Sequence, residues 1–172
     1  LTEKGEVLAR TFHESDLLVA DCLDRGYLDD LDPAALAALV SVFVYEHRSS
    51  EAPPAPWFPS TEVRKKWRRI ESVSRELQAT EEAASLNQHR APDPTYIAIA
   101  YAWAAGEGFA EVVEAEELSG GDFVRTMKQL IDLLRQIGMM APVPQTRRNA
   151  EAAADLLMRG VVAASTSVPG EI

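Results

Sequence analysis

The residues best placed to do chemistry lie between Gly120 and Gly138, in GGDFVRTMKQLIDLLRQIG. Phe123, Met127, Leu130, Leu134, Ile137 and then Met140 recur every three or four residues, one face of a helix. Arg125, Lys128, Asp132 and Arg135 fall on the opposite face. Three cations and a carboxylate turned away from a core could read a ligand that offers charge or hydrogen bonds. Periodicity alone favours the plainer account, an amphipathic core helix with a solvated polar face.

Local signals bound that helix. Ser119 stands three residues before Asp122, a carboxylate version of the capping box, and Gly138 with Pro142 and Pro144 marks the stop. The elements around it also read as helix, because alternating Val, Ile, Thr and aromatic runs bounded by turn residues are missing. The spacing predicts a helical turn around Glu6 to Arg10, then a helix over residues 14–25 ended by Gly26. Asp32 before Pro33 predicts an N-cap and first turn for AALAALVSVFVYEH, which is apolar almost all round and belongs in a bundle centre. The proline-rich SSEAPPAPWFP, residues 49–59, must be a loop, with Trp57 and Phe58 tucked onto the body.

Ser60 or Thr61 can cap the longest helix, Glu62 to Gln88, whose Val63, Trp67, Ile70, Ser74 and Leu77, then Glu81 and Ala84, follow a seam spacing. Asp93 and Pro94 open TYIAIAYAWAAG, a second almost wholly apolar helix. Glu107 to Leu118 form a short acidic helix after Gly108. A last helix runs from Thr146 to Ala164, with Ala152, Ala153, Leu156, Leu157, Gly160 and Val161 on one side, and residues 165–172 are expected to be a disordered tail. The prediction is an all-α fold, a single bundle of about seven to eight helices over residues 1–164.

Composition narrows the function. At 172 residues the chain can bury one sizeable core without disulfides or metal. Its single cysteine, Cys22, agrees with a reducing, cytoplasmic setting, and no apolar run approaches the roughly 20 residues of a membrane span. Neither a basic-then-apolar leader nor an initiator methionine opens the chain, which reads as a piece of something longer. A formal net charge of −10 disfavours gripping a phosphate backbone over the whole surface. Charge is uneven, however. Residues 1–32 hold nine acids and three bases, and residues 107–122 hold six acids and no base. Arg64, Lys65, Lys66, Arg68, Arg69 and Arg75 instead face only Glu62 and Glu71 within their segment. The plainer account of this basic run is a snorkelling, salt-bridged surface; the sharper one is a docking patch of Arg64, Lys65, Arg68 and Arg69.

Several chemistries are disfavoured. His13, His47 and His89 lack the Glu-x-x-His spacing of a di-iron bundle, and neither HExxH nor paired-cysteine zinc spacing exists. The glycines form neither GxxxxGK[ST] nor GxGxxG, so nucleotide hydrolysis by those routes is not expected. The acids from Glu107 to Asp132 read as a solvated face rather than a catalytic carboxylate pair. No catalytic residue and no metal ligand is assigned.

Three blocks taken together carry a resemblance: LTEKGEVLARTFHESDLLVADCL, DPAALAALVSVFVYE, and YIAIAYAWAAGEGFAEVVE leading into GGDFVRTMKQLIDLLRQIG. Their order and spacing resemble the C-terminal (DSHCT) domain of DExH-box RNA helicases of the superkiller and messenger-transport group, in a bacterial form. The likeness implies a helical bundle that joins two RecA-like domains and a winged helix in closing a channel around single-stranded RNA, with DNA left open as a substrate. It implies that DFVRTMKQLIDLLRQI is the long ratchet helix, with Arg125 at the RNA-facing arginine position and Lys128, Gln129, Asp132 and Arg135 on the same face. Glu46, in VFVYE, matches a carboxylate the family also aims at RNA. ATP and Mg²⁺ would belong to the RecA-like domains, which this chain does not contain. A helical module that docks the motor domains or another protein partner is the alternative.

Overall fold

The computed structural model describes residues 16–48, 50–84, 90–115 and 119–167. They contain eight α-helices and two short 3₁₀ turns, with no strand among them. The fold is all-α. The expected turn at Glu6 to Arg10 lies outside the described residues.

Helix α1, Asp16–Asp24, buries Leu18, Val19, Ala20, Cys22 and Leu23 and ends at Gly26, whose φ of 75° suits a residue without a Cβ. Helix α2, Pro33–Val40, starts as its sequence dictates: the Asp32 carboxylate accepts the Ala35 N–H at 2.9 Å, and Pro33 occupies the first turn. Every residue from Ala35 to Val40 is buried, so α2 is the central rod of the bundle.

The expectation that this helix continues to His47 is corrected. The α-helix ends at Val40, passes through a 3₁₀ turn at Ser41–Phe43, and leaves Glu46 outside any helix. Two long-range contacts hold the exit. Arg90 Nη2 donates to the Phe43 carbonyl at 3.1 Å, and the Asp93 carboxylate accepts the His47 N–H at 2.7 Å. Backbone groups that a longer helix would satisfy internally are met here from another segment.

Helix α3, Thr61–Ala83, is capped by the Ser60 hydroxyl, which accepts the Val63 N–H at 3.2 Å. Its Val63, Trp67, Ile70 and Ser74 are buried, as the seam spacing requires, and it packs on α1 and α2. It ends before Gln88, and residues 85–89 lie outside the described set. In the preceding loop Phe58 is half-buried, while Trp57 stays 49% exposed and only leans on Tyr101.

After a 3₁₀ turn at Pro94–Tyr96, capped by Asp93, helix α4, Ile97–Ala104, carries Trp103 into the core. Helix α5, Phe109–Ala115, follows Gly106, whose φ is 98°. Helix α6, Gly120–Met140, is capped by Ser119 Oγ, which accepts the Asp122 N–H at 3.1 Å. It packs chiefly on α7, Pro144–Leu157, and also on α2 and on α8, Gly160–Ser167.

The expected last helix, Thr146 to Ala164, is corrected to two. Helix α7 stops at Leu157, and α8, Gly160–Ser167, sets off after a bend in which Gly160 takes a φ of 52°. Arg159 makes the bend. Its guanidinium lies 3.7 Å from the Trp103 ring centroid and donates to the carbonyls of Trp103 (2.7 Å) and Glu107 (2.6 Å). Trp103 Nε1 in turn donates to the Leu157 carbonyl at 2.9 Å. Helix α8 takes in residues 165–167 of the expected tail, and the remainder of that tail, residues 168–172, lies outside the described residues. Leu156, expected on the buried side, is 40% exposed, whereas Ala153, Ala154 and Leu157 face inward.

Candidate nucleic-acid interface

Helix α6 presents a narrower polar face than its sequence suggests, since Thr126, Ile131 and Leu133 are buried besides Phe123, Met127, Leu130, Leu134 and Ile137. Met140 is half-buried. What remains outward is a strip of Gly121, Asp122, Arg125, Gln129, Asp132 and Arg135, with Lys128 half-buried at its border and the exposed Met139 at its C-terminal end. The rest of α6 is held by α7, α2 and α8, so the strip is carried on a fixed support.

Arg125 donates through Nη2 to the Asp122 carboxylate one turn earlier. Its side chain is 67% exposed, and an exposed pair of this kind contributes little, about 0–1 kcal/mol, so an incoming anion can take the guanidinium over. Asp122 sits in the first turn, where the helix dipole favours its charge. Lys128 Nζ donates to Ser165 Oγ at 3.1 Å, which ties α6 to α8.

At the N-terminal half of α6 the strip opens into a shallow groove of about 670 Å³. Arg125, Lys128, Gln129 and Asp132 line one side, and Phe109, Val124 and Val161 supply apolar wall. The floor reaches Gly120 and Gly121. Phe109 and Phe123 meet edge to face, centroids 5.4 Å apart, and Phe123 meets Trp103 the same way at 5.1 Å. The apolar wall is therefore the outer end of an aromatic chain that runs into the core. One aromatic ring and two valines beside two cations and two groups able to bond base edges suit an unpaired nucleotide.

Structure brings together four of the five α6 residues singled out by sequence: Arg125, Lys128, Gln129 and Asp132. Arg135, one turn beyond Asp132, is exposed on the helix but does not line the groove. Glu46 stands elsewhere. Its carboxylate pairs with Arg90 at 3.3 Å and Arg48 at 3.7 Å, both on the chain leaving or flanking α2. Phe109, Val161 and Ser165 were missed as lining residues, since they come from other helices and nothing in their spacing links them to α6. Val124 had a signal: an apolar residue off the core stripe beside Arg125.

The α3 cations Arg64, Lys65, Arg68 and Arg69 are all exposed. Lys66, between them, turns inward with its Nζ 3.6 Å from Glu62, so the basic run divides into one buried lysine and an outer group of four. Among the described residues no cluster of three His, Cys, Asp or Glu is placed to hold a metal, and no helix is long and apolar enough to cross a membrane.

The described residues form an all-α bundle built on a buried central helix, with one long helix exposing a mixed-charge strip. Residues 1–165 match the family described as the DSHCT (NUC185) domain, and the chain belongs to that family. It is 37% identical over 95% of its length to the probable helicase HelY of Mycobacterium tuberculosis, and 38% identical to that of Mycobacterium leprae. The exosome RNA helicase MTR4 of Homo sapiens is 29% identical over 78% of the chain. The chain spans 19% of the HelY proteins and 13% of MTR4.

Proposed function

We infer that this domain is a non-catalytic accessory part of an ATP-dependent RNA helicase of the cytoplasm, and that the outer strip of α6 touches single-stranded RNA as it passes. The observation that carries this reading is the groove beside α6, where Arg125, Lys128, Gln129 and Asp132 converge next to Phe109, Val124 and Val161 in a chain of the DSHCT family. Arg125 meets a phosphate through its N–H edge or a base through its face. Asp132 limits how tightly a strand is held, and weak repeated contacts suit a strand that must move on. ATP and Mg²⁺ are held by RecA-like domains outside this chain, and those domains with a winged helix close the channel. Arg135 extends the strip one turn further. Glu46, paired with Arg90, joins the channel wall only where the strand or another domain draws it from that pair.

The test uses the full-length helicase that carries this domain. Arg125→Ala is expected to lower RNA unwinding and RNA-stimulated ATP turnover severalfold, while stability stays within about 0.5 kcal/mol, as for other exposed changes. Unwinding and RNA crosslinking at the level of the unaltered enzyme would remove the ratchet role from α6.

A further inference from the structure

The cations of α3 fall into two groups. Lys66 lies 3.6 Å from Glu62, and Arg75 lies 3.5 Å from Glu71. Arg64, Lys65, Arg68 and Arg69 are exposed, and among the described residues none of them has a carboxylate within ion-pair distance. The chain has 27 carboxylates against 17 lysines and arginines, so four adjacent cations left without one reverse its charge locally.

Two of the four are oriented by rings. The Arg64 guanidinium lies 5.4 Å from the Phe58 centroid, and that of Arg69 lies 5.9 Å from Tyr27. A guanidinium resting on a ring is already ordered and keeps its N–H edge for a planar or tetrahedral oxyanion. Arg64 and Arg68 repeat after one turn, as do Lys65 and Arg69, which makes two short rows with a step of about 6 Å. Rows of this kind suit the repeated phosphates of an extended strand. Trp57, next in sequence to the ring under Arg64, is 49% exposed and leans on Tyr101 with centroids 5.7 Å apart. Its open face is a platform on which an unpaired base can stack. A protein partner would call for an apolar centre ringed by polar groups. The exposed outer residues of this stretch of α3 are instead cations, Arg64, Lys65, Arg68 and Arg69.

We propose that this face is a second contact site for single-stranded nucleic acid, in which Arg64, Lys65, Arg68 and Arg69 hold phosphates and Trp57 stacks a base. It is carried by a different helix from the groove. Helix α3 packs on α1 and α2, whereas α6 packs on α7, α8 and α2. The proposal does not rest on the role given to α6.

The test measures binding of fluorescent oligouridylate and oligothymidylate to the 172-residue chain by anisotropy, over a salt series. Replacing all four cations by Gln is expected to weaken binding of both oligomers at least tenfold at low salt. It should also make the log–log salt slope shallower by about 2.8, the value for four phosphates on a single strand. Lys65→Gln with Arg68→Gln, two residues not resting on rings, should give about half that change and keeps the test valid where the fourfold variant unfolds. Trp57→Ala should weaken binding about fivefold or more and leave the slope unchanged. Arg125→Ala serves as the control that reports on α6 alone. Unchanged affinity and slope in a folded variant would overturn the proposal. So would loss of binding to the purified motor domains with oligonucleotide affinity intact, since the face would then be a protein dock.

Discussion

Cys22 shows how far one side chain's behaviour follows from where its helix buries it. It is fully buried on α1, and burial pushes its thiol from 9.0 up to about 12, with Asp21 adding to the rise and Arg25 opposing it. Because the thiol form is favoured in the fold, the unfolded chain loses its proton first as pH rises. Stability is then fully present below about pH 9 and is lost progressively towards about pH 12. Labelling by a disulfide reagent at mildly alkaline pH should be at least a hundredfold slower in the native protein than in urea. Cys22→Ala should remove part of the alkaline loss of stability, measured as the urea midpoint against pH. Fast native labelling would show that α1 does not stay docked. The sequence exposed Cys22's place on an apolar stripe, whereas Arg25's pairing with Glu76 at 3.6 Å depends on α3 and could not be read from it.

Among the helices, caps were legible and ends were less so. Asp32, Ser60 and Ser119 each act on an N–H three residues away, so sequence alone contains the whole interaction. The end of α2 is different, because Arg90 reaches the Phe43 carbonyl from 47 residues away and fixes a 3₁₀ exit that an apolar run cannot announce. Gly160 was equally misleading: it reads as a small residue for close helix packing, but its positive φ belongs to the break between α7 and α8. A cap can also be tied to function. Ser119→Ala should cost about 1 kcal/mol in urea denaturation and speed amide exchange over the first turn of α6, which carries Asp122, the partner of Arg125. Unaltered exchange there would mean that the groove, rather than the hydroxyl, orders this turn.

At the scale of the whole molecule, four helices meet at Trp103 of α4. It meets Phe123 of α6 edge to face, donates to the Leu157 carbonyl of α7 and lies under Arg159, just before α8. Arg159→Leu keeps bulk but removes the donors to two carbonyls. It should lower stability by about 1–3 kcal/mol, read from urea denaturation followed by the tryptophan signal. A loss below about 0.5 kcal/mol would mean that the bend is held by packing alone. The candidate site divides along the same line between local and distant determinants. Its polar strip follows from the helical period of one segment, and its apolar wall needs α5 and α8 brought beside α6. Only the first could be read in advance.

The bend at Arg159 has a consequence for evolution and for engineering. Val161 and Ser165 reach the groove only because the chain changes direction two residues before Val161. The aperture beside Arg125 is therefore gauged from a corner that does not itself line the groove. A substitution at that corner would change the width of the groove while every polar residue that lines it stays the same.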